Sequence, residues 1–183
     1  EKAESISEYL GRDYIKKQLM MAIPRHLSVD RLLRVAMTSI RNNQKLLDCT
    51  LESLLACVMG CAQLGLEPEP FLGQAYLVPF KNNKKGGILE AKLIPGYRGY
   101  LALARRSGEV QSVTSQVVYE NDHFKFQYGL EEKLDHTPNE GDREKPRGAY
   151  IVFRYKDGSH SMDYMTTTDI EKIRARSQSS EQG

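Results

Sequence analysis

The 183-residue sequence lacks the patterns of a membrane or secreted protein. None of its apolar runs approaches the roughly 20 uncharged residues that a membrane-spanning helix needs. Its N-terminus carries Glu1, Lys2 and Glu4 where a secretory leader would have an apolar stretch. With 40% hydrophobic and 27% charged residues, the composition excludes a disordered chain and is typical of a globular protein of about one domain.

Cysteine is scarce, and the three residues, Cys49, Cys57 and Cys61, are an odd number confined to one segment. Cys57 and Cys61 would share one face of a helix, but a metal or redox site needs further ligands and no histidine lies close in the sequence. We therefore expect the three cysteines to be small apolar core residues of a protein in the reducing cytoplasm.

The sequence also lacks the motifs of the common catalytic sites. It has no glycine-rich phosphate loop ending in Lys-Ser/Thr, no Gly-x-Ser-x-Gly elbow and no histidine pair at metal-ligand spacing. The four histidines fall in different predicted elements: His26, His123, His136 and His160. We therefore expect a protein that is not an enzyme and that needs no cofactor or metal ion.

A metal-dependent nuclease is the alternative, because a two-metal site needs only a few carboxylates. Four aspartates are candidates for such a site: Asp122, Asp135, Asp163 and Asp169. The nuclease hypothesis uses Asp122 and Asp163, and Glu120 would share one face of a strand with Asp122. Acidic residues are equally common on solvated faces and loops, so this hypothesis ranks second.

The net charge of +2 conceals a strong separation of charge along the chain. Residues 79–106 hold seven Lys and Arg against the single acid Glu90, whereas residues 119–144 hold eight acids against three bases. A local block of positive charge is what a phosphate-binding surface requires, whatever the total charge. The sequence thus predicts nucleic-acid binding through the segment from Lys81 to Arg106.

Periodicity predicts helices first and strands afterwards. Helices are predicted over residues 6–22 before Pro24, from Val29 to Asn42 after the cap Ser28, and over residues 51–64 between Thr50 and Gly65. Beyond Pro70 the pattern predicts strands at 74–80, 88–94, 110–119, 124–128, 148–155 and 159–165, one helix at 96–106, and a last helix with Thr168 and Glu171 as its capping box. The stretch from Thr137 to Lys145 is predicted to be a loop.

These elements predict the α+β class: an N-terminal helical lobe followed by an antiparallel β-sheet packed on a central helix. We expect residues 1–70 to form the helical lobe and residues 71–177 to form the α+β core, with residues 178–183 as a linker.

The basic segment combines cations with aromatic side chains. Tyr97 and Tyr100 lie among its bases, which are Lys81, Lys84, Lys85, Lys92, Arg98, Arg105 and Arg106. Single-stranded nucleic acid is held by cations along its backbone and by aromatic rings against its bases, without readout of sequence. The opposing interpretation is that the lysines solubilise a hairpin and the tyrosines belong to the core.

A second basic cluster, Lys172, Arg174 and Arg176, closes the predicted last helix. It has two interpretations of equal weight. Positive charge suits the negative end of a helix dipole, and it could equally complete a DNA-binding groove that the hairpin begins.

Four motifs in order resemble the RecT family of phage single-strand annealing proteins, from about Ile23 to Ser177. They are Leu64-Gly65-Leu66-Glu67-Pro68, Gly73-Gln74-Ala75-Tyr76-Leu77-Val78-Pro79-Phe80, Pro95-Gly96-Tyr97-Arg98-Gly99-Tyr100 and Val118-Tyr119-Glu120-Asn121-Asp122. The resemblance implies an ATP-independent recombinase of a bacterial host's cytoplasm, which coats single-stranded DNA and anneals complementary strands as a ring or helical filament. It also implies a core similar to that of Red-beta: an antiparallel β-sheet packed on a helix, with DNA in a basic groove formed by residues 71–177. By the same resemblance, residues 1–70 would mediate self-assembly, and the linker 178–183 would lead to a C-terminal domain that the sequence does not include.

The partners that the resemblance implies are single-stranded DNA, the annealed duplex intermediate, further copies of the chain, a phage exonuclease and the host single-strand binding protein. The last two would be contacted through the missing C-terminal domain. Of the expected DNA-binding residues, Lys92, Tyr97 and Arg98 lie in or beside the matching motifs. Asn121 is also a motif residue, and two roles stay open for it: a phosphate contact or the cap of a turn.

Overall fold

The computed structural model describes residues 1–176, in which seven helices and seven strands form two compact units. The first unit is Glu1–Arg106 and the second begins at Ser107. The α+β class is confirmed. The predicted division at residue 70 differs from this one, which falls between residues 106 and 107. The functions expected for residues 1–70 and 71–177 stay predictions.

The first unit begins with five helices whose ends follow local capping chemistry. They are α1 (Lys2–Leu10), α2 (Asp13–Ala22), α3 (Val29–Arg41), α4 (Gln44–Leu47) and α5 (Leu51–Leu64). The Ser28 and Thr50 hydroxyls accept from backbone amides at the starts of α3 and α5, and Gly65 ends α5 with a φ of 59°. The single helix predicted over residues 6–22 is wrong: the chain breaks at Gly11 into α1 and α2.

The first unit contains nearly all of the hydrophobic core that residues 1–176 form. Every buried hydrophobic residue of that range except Val118 belongs to it, and α5 contributes Leu54, Val58 and Cys61. Truncation of a fully buried leucine such as Leu54 to alanine costs about 2–5 kcal/mol, because a cavity remains. The predicted burial of all three cysteines is confirmed, and they are free thiols.

A β-hairpin packs against α5 in the first unit. Its strands are β1 (Ala75–Asn82) and β2 (Ile88–Pro95), antiparallel with Val78 opposite Lys92. Ala75 and Leu77 on β1 and Ala91 on β2 are buried in the core. Since side chains alternate along a strand, the residues between them are left on the outer face. A 3-10 turn, Asn83–Lys85, forms the hairpin tip, and α6 (Tyr97–Ser107) follows β2.

The second unit contains two antiparallel sheets. The first has the strand order β3-β6-β7, from β3 (Val110–Tyr119), β6 (Pro146–Tyr155) and β7 (His160–Thr166). The other is the hairpin β4 (His123–Gln127) and β5 (Lys133–Thr137), and α7 (Thr167–Arg174) follows β7. The sequence did not predict β5, which is short, polar and exposed at alternate positions.

Aromatic packing joins the β4–β5 hairpin to the three-stranded sheet. Phe124 lies 5.9 Å from Tyr150 and 4.8 Å from Tyr164 between ring centroids, and Phe126 lies 5.6 Å from Tyr164. Such pairs add about 0.5–1.5 kcal/mol beyond the area that they bury. The antiparallel strands of residues 1–176 form three sheets, where the sequence predicted one.

The capping box of α7 differs from the prediction of Thr168 with Glu171, which is wrong by two residues. The Thr166 hydroxyl accepts from the Asp169 amide at 3.2 Å, and the Asp169 carboxylate accepts from the Thr166 amide at 3.4 Å and from the Thr166 hydroxyl at 2.6 Å. Residues 166–169 also fit the box pattern, because an aspartate serves in place of glutamate. No helix within residues 1–176 is long and apolar enough to cross a membrane.

Candidate nucleic-acid interface

The start of α6 is held against the segment that precedes β1. The Gly96 amide donates to the Gln74 carbonyl oxygen at 2.9 Å. A β-carbon at Gly96 would overlap the Gly73 carbonyl oxygen, and one at Gly99 would overlap the Gln74 carbonyl oxygen. The two glycines of the Pro95–Tyr100 motif therefore allow a close backbone approach that other residues would block.

This docking leaves three motif side chains in solvent: Tyr97, Arg98 and Tyr100, which we call the α6 platform. Tyr97 is 68% exposed and Tyr100 is 60% exposed, so neither is a core residue. The Arg98 guanidinium lies 5.7 Å from the centroid of the Tyr97 ring, and its Nε donates to the Tyr97 hydroxyl at 3.0 Å. A cation beside an exposed ring can serve a phosphate and a base together.

Two exposed aromatic residues within residues 71–76 were missed by the sequence-based prediction. Phe71 is 91% exposed in the turn before β1, and Tyr76 lies on the outer face of β1. The Tyr76 hydroxyl and the Arg98 side chain both approach Gly73, at 3.2 and 3.4 Å from where its β-carbon would be. Strand alternation could have placed Tyr76 outside, since its neighbours Ala75 and Leu77 are buried.

The hairpin lysines are all exposed but differ in their partners. Lys85 forms an ion pair with Glu90 at 2.8 Å, which leaves it less free to bind phosphate. The Lys92 ammonium lies 4.9 Å from the centroid of the Phe80 ring. Lys81 and Lys84 form no ion pair with any of residues 1–176. These two lysines are therefore the most available cations of the tip.

A groove of about 630 Å³ opens along the C-terminal half of α6, and Arg105 lines it together with Arg31, His26 and Gln74. The Arg31 guanidinium is held by the nearly buried Glu67 through two parallel contacts, and its Nη2 donates to Oε2 at 3.0 Å. The hydrogen bond to Glu67 raises the pKa of Arg31. Arg105 is exposed and makes no such pair among the described residues.

Arg106 borders the same groove, but its guanidinium is engaged with the protein. It donates to the carbonyl oxygens of Leu64 at 2.8 Å and Gly65 at 3.0 Å, and its Nη1 lies 2.8 Å from His26 Nε2. These carbonyls end α5, where helix groups lack internal partners. The contacts indicate that Arg106 fastens α6 to the end of α5, and a DNA contact for it stays a prediction.

The Val118–Asp122 motif forms the turn between β3 and β4 in the second unit. The Asp122 carboxylate accepts from Arg143 at 2.9 and 2.6 Å, from the amides of Tyr119 and Asn139 at 2.9 Å each, and lies 3.1 Å from His136 Nε2. The hydrogen bond from Arg143 holds the pKa of Asp122 far below its ordinary value of 3.8, although burial opposes it. Asp122 is therefore a structural anchor of the turn.

Asn121 of the same turn has an exposed amide that donates to the Asp142 carbonyl oxygen at 3.0 Å. Its own carbonyl oxygen accepts from the Asn139 side chain at 3.2 Å. These contacts favour the second of its two expected roles, since they join the turn to the loop before β6. A phosphate contact stays a prediction.

The geometry does not favour the nuclease alternative. The oxygens of Asp122 are occupied as described, and Asp163 accepts from the Tyr128 hydroxyl at 2.7 Å and the Tyr164 amide at 2.8 Å. Within residues 1–176, no group of three or more histidine, cysteine or acidic side chains is arranged to hold a metal ion.

The second basic cluster is exposed at the end of α7. Lys172 and Arg174 form surface pairs with Asp169 at 3.4 Å and Glu171 at 3.5 Å. Such exposed pairs contribute about 0–1 kcal/mol and do not prevent a phosphate contact. Arg176 is exposed and is the last residue that the structure describes. Both expected interpretations of this cluster stay open.

The excess of positive charge belongs to the first unit. Residues 1–106 hold 16 Lys and Arg against 10 Asp and Glu, whereas residues 107–183 hold 10 against 14. A polyanion should therefore be attracted to the first unit, which carries the α6 platform, the hairpin lysines and the Arg105 groove.

Comparison with known proteins agrees with these motifs. The model of the RecT family matches residues 30–183. The chain is 41% identical over all of its 183 residues to Protein RecT of Escherichia coli (strain K12), of which it spans 68%. It is also 29% identical over 147 residues to the uncharacterized protein YqaK of Bacillus subtilis (strain 168). This matching region covers 79% of the chain and 49% of YqaK. The resemblance seen in the sequence is confirmed, and the chain belongs to the RecT family of recombination and annealing proteins.

Proposed function

We propose that the chain binds single-stranded DNA through the first unit and pairs complementary strands without ATP or metal. The observation that carries this proposal is the α6 platform, in which Arg98 lies beside the exposed ring of Tyr97, next to a hairpin whose tip lysines Lys81 and Lys84 are unpaired among the described residues. Family membership supports the same reaction.

Charge neutralisation is the main physical requirement of annealing. Two DNA strands repel each other, so a protein that pairs them must supply cations to both backbones. Lys81, Lys84, Lys92, Arg98 and Arg105 are exposed on the first unit and are proposed to make these contacts. Lys85, Arg106, Lys172, Arg174, Arg176 and Asn121 are weaker members of the proposed set, because most of them already have protein partners.

Exposed aromatic rings supply the second requirement. A base that stacks on Tyr97 or Tyr100 keeps its Watson–Crick edge free to pair, and stacking is worth about 1–3 kcal/mol per base. Tyr76, whose hydroxyl approaches Gly73 beside Arg98, and the exposed Phe71 extend the set of rings on the first unit. Since stacking accepts every base, we expect binding without sequence preference.

The proposed activity needs no covalent chemistry. Annealing proceeds by binding, assembly and release, so the protein is proposed to be a non-enzyme. We propose that several copies act together on one strand, as an oligomer or helical filament. The exposed side chains of Tyr14, Met20 and Met21 on α2 offer one surface for such contacts. A phage exonuclease and the host single-strand binding protein are proposed partners of the full-length protein.

The first experiment measures salt dependence of binding to a fluorescent oligonucleotide. One variant replaces Lys81, Lys84 and Arg98 with alanine, and a matched control replaces Lys17, Lys45 and Arg25, which are exposed residues of the same unit and charge. If three phosphate contacts are lost, the slope of log K against log salt falls by about 2 in the first variant. An unchanged slope there, or an equal change in the control, would place the DNA elsewhere.

The second experiment mixes complementary dye-labelled strands with the protein in the absence of ATP and with EDTA present. Acceleration of pairing is expected, and failure to accelerate it would refute the annealing activity. Incubation of one labelled strand with Mg²⁺ or Mn²⁺ should leave its length intact, whereas shortened products would revive the nuclease hypothesis.

A further inference from the structure

Strand β3 has an edge that no other strand of residues 1–176 covers. It pairs with β6 on one side only, at the outside of the β3-β6-β7 sheet. Its ten residues, Val-Gln-Ser-Val-Thr-Ser-Gln-Val-Val-Tyr, include no charged residue and no proline. Ser112, Thr114, Ser115 and Gln116 are all exposed. An open edge of this composition is a template for pairing with another strand.

The strands of the first unit protect their edges. On β1, Pro79 removes a backbone donor and Lys81 adds a charge. On β2, the Ala91 amide donates to the Ser53 hydroxyl at 2.9 Å and the Leu89 carbonyl oxygen accepts from the Thr50 amide at 3.1 Å. The start of α5 therefore covers β2.

The remaining strands of the second unit are protected as well. On β7, the Asp163 carboxylate accepts from the Tyr164 amide at 2.8 Å and places a charge on that edge. The β4–β5 hairpin carries Lys125 on β4 and Lys133 and Asp135 on β5. Charged side chains on an edge discourage pairing, so β3 is the exception within the described part of the chain.

The two ends of β3 limit the length that a partner could pair with. A register shift between Val110 and Ser112 marks a bulge at the first end. At the other end, Asp122 accepts from the Tyr119 amide at 2.9 Å and Arg143 approaches the Val117 carbonyl oxygen at 3.4 Å. The regular open stretch is therefore residues 112–116, with Thr114 at its centre.

We propose that β3 pairs antiparallel with β3 of a second copy of this chain, with Thr114 of one copy opposite Thr114 of the other. The sheet would then continue through six strands across a two-fold axis, as in isologous dimers. The absence of charge favours a second copy, because identical strands meet there without like-charge repulsion. In this register Ser112 of each copy lies opposite Gln116 of the other, so their hydroxyl and amide side chains can hydrogen-bond across the pair. A two-fold contact of this kind closes a dimer, so the filament proposed above would join such dimers through a second surface. This inference rests on the self-association proposed above.

The test uses charge at the centre of the proposed pair. Thr114→Lys and Thr114→Glu each place like charges opposite one another across the two-fold axis, whereas an equal mixture of the two variants places lysine opposite glutamate. Sedimentation velocity over a concentration series, without DNA, measures the dissociation constant of the dimer. We expect each variant alone to raise it at least about tenfold, and the mixture to restore it.

Restoration in the mixture cannot arise from misfolding, which circular dichroism melts of each variant would also reveal. Wild-type behaviour of both variants would overturn the β3 contact while leaving self-association through another surface intact. Weakening by both without restoration in the mixture would also overturn it, because β3 would not then face itself. A wild-type chain that stays monomeric at every concentration, both free and on DNA, would instead refute the self-association that the proposed function includes.

Discussion

The Arg106 guanidinium donates to the Leu64 carbonyl oxygen at 2.8 Å, while the adjacent Arg105 lines an open groove and forms no ion pair among residues 1–176. Two neighbouring arginines of one basic segment thus have different roles. Arg106 holds α6 on the end of α5, and Arg105 is available to a polyanion.

Replacement of Arg106 with alanine is expected to lower the free energy of unfolding by about 1–3 kcal/mol, because the carbonyl oxygens of Leu64 and Gly65 lose a charged donor. Urea denaturation followed by circular dichroism measures the loss. The matched control is Arg105→Ala, which removes the same charge and should change stability by less than about 0.5 kcal/mol. Equal destabilisation by both replacements would contradict the distinct role of Arg106.

The close approach of α6 to residues 73–74 predicts the effect of a single methyl group. Gly99→Ala places a β-carbon against the Gln74 carbonyl oxygen, so the start of α6 must shift. We expect a loss of about 1–3 kcal/mol in unfolding free energy, typical of overpacking, together with weaker DNA binding as Arg98 is displaced.

The control for this replacement is Gly141→Ala, whose β-carbon would meet only the Asn139 side chain at 3.4 Å. It should be tolerated in both denaturation and oligonucleotide binding. Should Gly99→Ala be as stable as the wild type, the docking of α6 on the Gln74 segment would be incorrect.

The hydrogen bonds to Asp122 predict a pH dependence of stability. Because Arg143 holds the pKa of Asp122 below 3.8 in the folded chain, the carboxylate stabilises the fold above the pKa of the unfolded chain. This contribution is present at neutral pH and is lost as pH falls through about 4 toward the folded value. Asp122→Asn removes the titration, so the melting temperature of the variant should be lower than that of the wild type at pH 7.

The difference in melting temperature between the two proteins should stay constant above about pH 5 and shrink as pH falls from about 5 to 3, measured by calorimetry at constant salt. Asp157→Asn is the comparison variant for this melting experiment. The pKa of Asp157 is also lowered, by hydrogen bonds from Ser159, but its carboxylate lies on an exposed turn. A difference for Asp122→Asn that is independent of pH would show that the carboxylate charge does not stabilise the turn.

Local chemistry made much of the fold predictable from the sequence. Ser28, Thr50 and Gly65 delimit their helices because a cap depends on residues within one helical turn. The hairpin of β1 and β2 followed from two β-prone runs around an Asn- and Gly-rich tip. Strand β5 could not be found in the same way, since its partner β4 and its aromatic neighbours stabilise it from outside its own sequence.

The candidate site was predictable only in outline. Charge counting found the basic segment, but it could not separate Arg105 from Arg106, because the carbonyls that bind Arg106 lie 41 and 42 residues away. The same holds for Asp122, whose partner Arg143 follows 21 residues later. Phe71 was missed because a single aromatic residue in a turn belongs to no periodic pattern from which its exposure could be predicted.

The reactivity of the three buried thiols, Cys49 just before α5 and Cys57 and Cys61 on it, measures how well the core of the first unit is shielded from solvent. Burial raises the pKa of Cys57 to about 11 and that of Cys61 to about 12, and it also raises the pKa of Cys49. Because the thiolate is the reactive form, none of the three should react with a maleimide at pH 8 in the folded chain. Mass spectrometry should find no adduct under native conditions and three adducts in urea. Ala175→Cys, an exposed position, should add one rapidly labelled thiol, and rapid native labelling of Cys57 or Cys61 would mean that α5 is not enclosed as described.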